Sequence, residues 1–202
     1  MMKPLPASLP LPVFSSLTIG EMTGKTGEAF DLVIGLDEKL VAQLKERSLD
    51  MSDADLQENT SDHARFGEGS YEKWYAKARV PFALVHKKTR SLAALIWLGP
   101  KPLGRKSLKH LSPEEQMQDE EAMDAGDWHT IVFRAYNPYR GQGLMKPFAL
   151  EAMRIYKHYF PSARIWAGIN ATNAASIALS EKIGLHKEES VSDENWVAMV
   201  SE

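Results

Sequence analysis

Two hydrophobic periods alternate along the chain and divide it into elements. Residues 29–35 (AFDLVIG) form a short apolar, β-branched run that predicts a strand, and Asp37 then caps a segment with Leu40, Val41 and Leu44 on one helical face. Residues 51–69 are polar and turn-rich, with a short helix expected over 53–57. Ser70 opens a further helix holding Tyr71, Trp74 and Tyr75, which Pro81 is expected to stop. Residues 82–86 and 92–98 are apolar runs joined by Lys87-Lys88-Thr89-Arg90-Ser91, the pattern of an antiparallel hairpin with a charged turn. The stretch 99–127 is long for a connection inside one domain, which points to a functional loop or a missed element. Within it Ser112-Pro113-Glu114-Glu115 has the form of a capping box and predicts a short acidic helix ending near Gly126.

A strand is expected over 129–136 (HTIVFRAY), and an amphipathic helix over 144–160 with Leu144, Phe148, Ala152, Ile155 and Tyr159 along one stripe. Pro161 ends that helix. A strand over 164–169, a helix over 174–182 ending at Gly184 and a strand over 196–200 complete the series. This order predicts one α/β (α+β) domain over 29–202, preceded by an extended arm over 1–28.

Composition removes several classes of function. The chain has 202 residues, 44% of them hydrophobic, enough for one domain with a full core. A net charge of -3 provides no global attraction to nucleic acid. The absence of cysteine excludes disulfides, thiolate nucleophiles and cysteine zinc sites, and no metal site is expected. Pro4, Pro6, Pro10 and Pro12 interrupt the apolar stretch that a secretory signal needs, and no window approaches the roughly 20 apolar residues of a membrane span. The expectation is a cytoplasmic protein that binds neither nucleic acid nor membrane.

Candidate chemistry sits at two places. Tyr139-Arg140-Gly141-Gln142-Gly143-Leu144-Met145 lies between a strand and the start of a helix. Glycines there let backbone amides turn toward a ligand, and the helix start adds unpaired N–H donors, so the segment suits a phosphate or pyrophosphate. It also reads as a tight connection, since the Walker lysine and the third glycine of a dinucleotide fingerprint are missing. The second place is residues 170–185 (NATNAASIALSEKIGL), a strand end followed by a helix that Asn173 caps and Gly184 terminates.

In this order and spacing the two segments resemble the signatures of the GNAT superfamily of acyl-CoA-dependent N-acyltransferases. Arg140 and Gly143 match the first signature, with Met145 replacing its closing small residue, and Asn173, Ser176, Ile177, Leu179, Glu181, Lys182, Gly184 and Leu185 track the second. The resemblance implies a single GNAT-like domain with a central mixed, mostly antiparallel sheet splayed in the middle and flanked by helices. It implies acetyl-CoA as cosubstrate, with pantetheine along the strand end at Ala135 and Tyr136. Pyrophosphate would rest on the amides of Gly141, Gln142, Gly143, Leu144 and Met145, with Arg140, Asn173 and Ser176 completing the cofactor site. The reaction implied is direct transfer of acetyl to a primary amine.

Three residues are candidates for the chemistry. Members of the superfamily often have a tyrosine as general acid where this chain has Ser180, whose hydroxyl is too weak an acid to replace a phenol and is left to orient the departing sulfur. His129 and Asp127 stand where a base is often found. Glu114, Glu115, Asp119, Glu120, Glu121, Asp124 and Asp127 form an acidic run, which reads as solvated surface or as a rim attracting a cationic acceptor. The alternative function is a non-catalytic module of the same fold that binds CoA or a partner. A homodimer is an expectation of the resemblance alone.

Overall fold

The computed structural model describes residues 4–116 and 124–202. β1 (Leu17–Thr23) and β2 (Ala29–Ile34) pair antiparallel, with a bulge between Thr18 and Gly20. The arm expected over 1–28 therefore contributes an edge strand to the sheet. Its alternation is broken at the bulge, which is why a period-2 reading passes over it. The preceding residues are also docked: Leu5, Leu9 and Leu11 pack on the core, and Leu11 O accepts a 2.6 Å bond from the Tyr75 hydroxyl.

α1 (Glu38–Leu49) starts at Asp37, whose carboxylate accepts from Leu40 N, and it buries Leu40, Leu44 and Ser48. α2 (Ala54–Asn59) follows, capped by Asp53, then a π-helical turn at His63–Gly67 and α3 (Tyr71–Tyr75), capped by Ser70. α3 ends before Pro81, which instead lies inside β3 (Val80–His86). β3 and β4 (Leu92–Pro100) form the expected hairpin and are buried nearly throughout.

In the long connection, Ser112 and Glu115 make the reciprocal capping bonds that open α4 (Pro113–Gln116). Asp119, Glu120 and Glu121 lie outside the described residues.

β5 (Trp128–Ala135), α5 (Met145–Tyr159), β6 (Arg164–Asn170), α6 (Ala174–Lys182), the two-residue β7 (His186–Lys187) and β8 (Trp196–Val200) complete the chain. α5 buries Phe148, Ala149, Ala152, Ile155 and Tyr156; Tyr159, expected on that stripe, is partly buried against the same core, and its hydroxyl bonds Pro6 O.

The eight strands form one open sheet in the order β1-β2-β3-β4-β5-β6-β8-β7, antiparallel except between β5 and β6. One core lies under α5 and α6, built on Phe30, Phe82, Phe148, Ile155 and Ile165. The other lies under α1 to α3, built on Leu40, Leu44, Trp74, Tyr75 and Trp97. No helix of the described residues is long and apolar enough to cross a membrane, and no group of metal-ligating side chains occurs among them.

Candidate active site

The site follows from the single parallel pairing. β5 and β6 are joined at Trp128 with Arg164, His129 with Ile165 and Thr130 with Trp166, and then separate. β5 continues against β4 as far as Ala135. Tyr136 N bonds Ala93 O and Trp128 O accepts from Lys101 N, so the even-numbered residues of β5 turn their backbone groups to β4. Ile131, Phe133 and Ala135 then turn theirs toward the gap. Two of these carbonyls are held internally: Phe133 O accepts from Arg134 Nη1 at 2.8 Å, and Ala135 O from Arg140 Nε at 2.7 Å.

A cavity of about 320 Å³ fills the gap, bounded by 131–135 of β5, 167–170 of β6, α2 and the start of α6. It continues into two others. Toward the glycine turn it shares Ala135, Gly141, Met145, Ala175 and Leu179 with a cavity of about 300 Å³ that also takes in Gly143, Lys146 and Lys182. On the α3 side of the sheet it shares Asn59, Thr60, Val132, Arg134 and Gly168 with a cavity of about 310 Å³ lined by Trp74, Trp97, Trp166 and Trp196. At Gly168 a Cβ would stand 2.2 Å from Trp196 Cζ2, so glycine there lets the indole close this end.

The glycine turn is built to present backbone. Gly141 and Gly143 have φ of 78° and 74°, and the N-cap position of α5 is Leu144, which supplies no side-chain acceptor. The first-turn amides of α5 therefore lack a side-chain cap. The β1–β2 hairpin holds the turn from outside: Lys25 N donates to Gln142 O, and Thr26 Oγ1 and Glu28 bond the Gln142 amide. Arg140 makes a bidentate pair with Asp53, at 2.9 and 2.8 Å, tying the turn to the N-cap of α2.

No family sequence model and no curated protein matches the chain. Solved structures do, by shape. The GNAT domain of PAT from S. lividans superposes with a TM-score of 0.60 at 13% identity, covering 90% of this chain and 94% of that one. The spermidine N-acetyltransferase of Vibrio cholerae, in complex with CoA and spermine, gives 0.58 at 13% identity over 84% and 94%. An acetyltransferase from Agrobacterium tumefaciens gives 0.56 at 13% identity over 92% and 96%.

This chain has the GNAT fold. The sheet splayed between β5 and β6, expected from the two signatures, is the one observed.

On that fold the expected site residues separate into groups. Ala135, Arg140, Gly141, Met145, Asn173 and Ser176 line the central cavity, and Gln142, Gly143 and Leu144 line the cavity at the turn. Asn173 also caps α6, its carboxamide oxygen accepting from Ser176 N at 3.1 Å. Tyr136 faces the other core: it is buried beneath Arg47, 4.9 Å above its ring, with its hydroxyl unbonded. Ser180 is fully buried, its hydroxyl also unbonded, and it lines none of the three cavities.

His129 lies on the α5 face, where its Nδ1 is 2.6 Å from the Tyr156 hydroxyl and Phe160 packs beside it. Side chains alternate across a strand, so His129 and the tryptophan-lined cavity, walled by Thr130, Val132 and Arg134, occupy opposite faces of β5. Asp127 is exposed just before the strand. Burial, and then the positive charge of Arg79, lower the His129 pKa against the opposing effect of Asp127. A histidine depressed on folding contributes its full stability above the unfolded value near pH ~6.5 and loses it as pH falls. The melting temperature of the wild type is therefore expected to drop as pH falls below about 6.5, with a shallower drop for His129→Gln. Equal slopes would show that this imidazole is not depressed.

The tryptophan-lined cavity and the contacts of the β1–β2 turn were not legible in sequence. Their residues come from distant segments and share no spacing, and the tryptophans read as core.

Proposed function

We propose that this protein is an N-acetyltransferase that transfers acetyl from acetyl-CoA to a primary amine by direct attack. The observation that carries the reading is the continuous groove: a glycine turn at an uncapped helix start, a splayed strand edge, and a second cavity beyond the splay. Amides at a helix start suit a pyrophosphate, and Lys146 and Lys182 add cations beside them. The N–H groups of Phe133 and Ala135 suit an extended amide chain laid along β5. The structural neighbours, one of them holding CoA, support the same use of the fold.

Acetyl-CoA supplies an activated thioester. The neutral amine attacks its carbonyl carbon, an amide bond forms as the carbon–sulfur bond breaks, and the proton shed by nitrogen ends on the thiolate. In this reading a backbone N–H of β5 polarises the carbonyl oxygen. With Ser180 sealed in the core, this reading takes the thiolate as leaving without a protein acid, which its ordinary pKa near ~8.5 allows. Nor does an imidazole or carboxylate line the tryptophan-walled cavity among the described residues, and the position of His129 on the other face gives it no direct path to an amine there.

Acetyl-CoA is expected to bind the purified protein in calorimetry, and a panel of primary amines to release free thiol with ternary-complex kinetics. Binding without thiol release would favour the non-catalytic CoA-binding module, and ping-pong kinetics would overturn direct transfer.

A further inference from the structure

Gly141 and Gly143 let the turn expose its backbone, and they also make it easy to deform. Both hold a positive φ, and a Cβ built on Gly141 would meet nothing within 4 Å among the described residues. Glycine enters either sign of φ with similar ease, so the shape of such a turn is set by whatever holds the residues around the glycines. A ligand that had to order the turn itself would bind more weakly, because the ordering cost is subtracted from its contacts.

Three side chains hold the turn. Tyr139, at its start, has its hydroxyl 3.0 Å from Thr89 Oγ1 and its ring edge-on to Phe30. Arg140 is fixed by Asp53. Gln142, between the two glycines, is held by the β1–β2 hairpin and by nothing else in the chain's hydrogen bonding among the described residues.

That hairpin is itself tight, with Gly24 N donating to Glu28 O at 2.8 Å and Gly27 N to Gly24 O at 2.9 Å. From it Lys25 N donates to Gln142 O at 2.9 Å and Thr26 Oγ1 to Gln142 Oε1 at 2.7 Å, while Gln142 Nε2 donates to Glu28 Oε2 at 3.2 Å. The fit is close. A Cβ on Gly24 would stand 2.8 Å from Gln142 Oε1, and the Lys25 stem occupies the space that a side chain at position 143 would need. The oxygen and the nitrogen of the Gln142 amide are thus both bonded to the hairpin.

We propose that Lys25, Thr26 and Glu28 are positioning residues of the cofactor site, which act through Gln142 to fix the glycine turn in its ligand-ready shape. The proposal rests on the reading of this turn as the pyrophosphate site of acetyl-CoA, and it adds a segment that neither sequence signature contains. None of the three has to touch the cofactor: the bonds they make order the amides before the pyrophosphate arrives.

The test is calorimetry on the full-length protein with acetyl-CoA and with its 3′-dephospho form. Binding by the wild type decides the cofactor reading beneath the proposal, and its absence would end both. Given that binding, Thr26→Ala and Glu28→Ala are each expected to weaken both ligands about three- to tenfold, the effect of one lost hydrogen bond. Thr26 is exposed and Glu28 partly so, and thermal melts of both variants are expected to stay close to wild type. Thr26→Ser and Glu28→Gln, which keep the hydroxyl donor and a carbonyl acceptor, are expected to retain affinity. In a Gln142→Ala background Glu28→Ala is expected to cost less than about twofold, since the bond through which it acts is gone. Additive losses in that cycle, or full affinity in both alanine variants, would overturn the proposal and leave the cofactor reading standing. A loss confined to the 3′-phosphorylated ligand would overturn it too, by placing the effect away from the pyrophosphate.

Discussion

Gly143→Val is expected to lower acetyl-CoA affinity by about a hundredfold while the protein remains folded. Gly143 has φ +74°, a region that L-residues enter at a cost of roughly 1–3 kcal/mol and that a β-branched residue resists most. A Cβ built there would stand 2.6 Å from Lys25 Cε and 3.1 Å from Lys25 Cδ and Cγ. The flexible lysine can swing away, but the backbone cannot keep its conformation without strain. The loss is therefore expected at the ligand-facing amides more than in the core. Calorimetry gives the affinity and a thermal melt the stability. Undiminished affinity in a variant that melts normally would remove this turn from the binding site.

Asp62→Ala is expected to destabilise the fold by about 3–5 kcal/mol, the cost of leaving a buried cation without its partner. Asp62 is fully buried, and its carboxylate accepts from Arg134 at 2.5 and 2.9 Å and from Arg65 at 2.7 Å. The Arg134 side chain is itself only 11% exposed. Burial by itself would raise the Asp62 pKa, but the two guanidiniums overcome it and hold the carboxyl below its usual range. Its contribution is thus complete above the unfolded value near pH ~3.9 and disappears as pH falls toward the folded one. Denaturant titrations of wild type at about pH 7 and pH 3.5 should show that fall, and the variant should show a smaller one. A loss under about 1 kcal/mol at neutral pH would mean that Arg134 finds another partner or water. The network also joins the π-helical turn to β5, so the variant is expected to loosen the tryptophan-lined cavity, which Arg134 lines.

The sequence alone was enough for the hairpin of β3 and β4, for α1, α5 and α6, and for both signatures. Each is local: alternation or 3.6-residue periodicity selects the element, and Asp37, Ser70, Ser112 and Asn173 mark starts through bonds that reach only three residues. The glycine turn was legible for the same reason, because a positive φ between a strand and a helix restricts which residues can stand there.

Tertiary structure decided the rest. β1 became a strand because β2 offered an edge, despite a bulge that disrupts its period. His129 and Ser180 occupy the expected places in the chain, yet one is turned to Tyr156 on the α5 face and the other is sealed in the core, since strand parity and helix phase set the direction of a side chain. The make-up of the far cavity was furthest from view. Only folding brings Arg65, Lys73, Arg79, Lys101, Arg134 and four tryptophans from separate elements around one cavity. Electrostatic energy depends on distance in space, and no spacing along the chain records it.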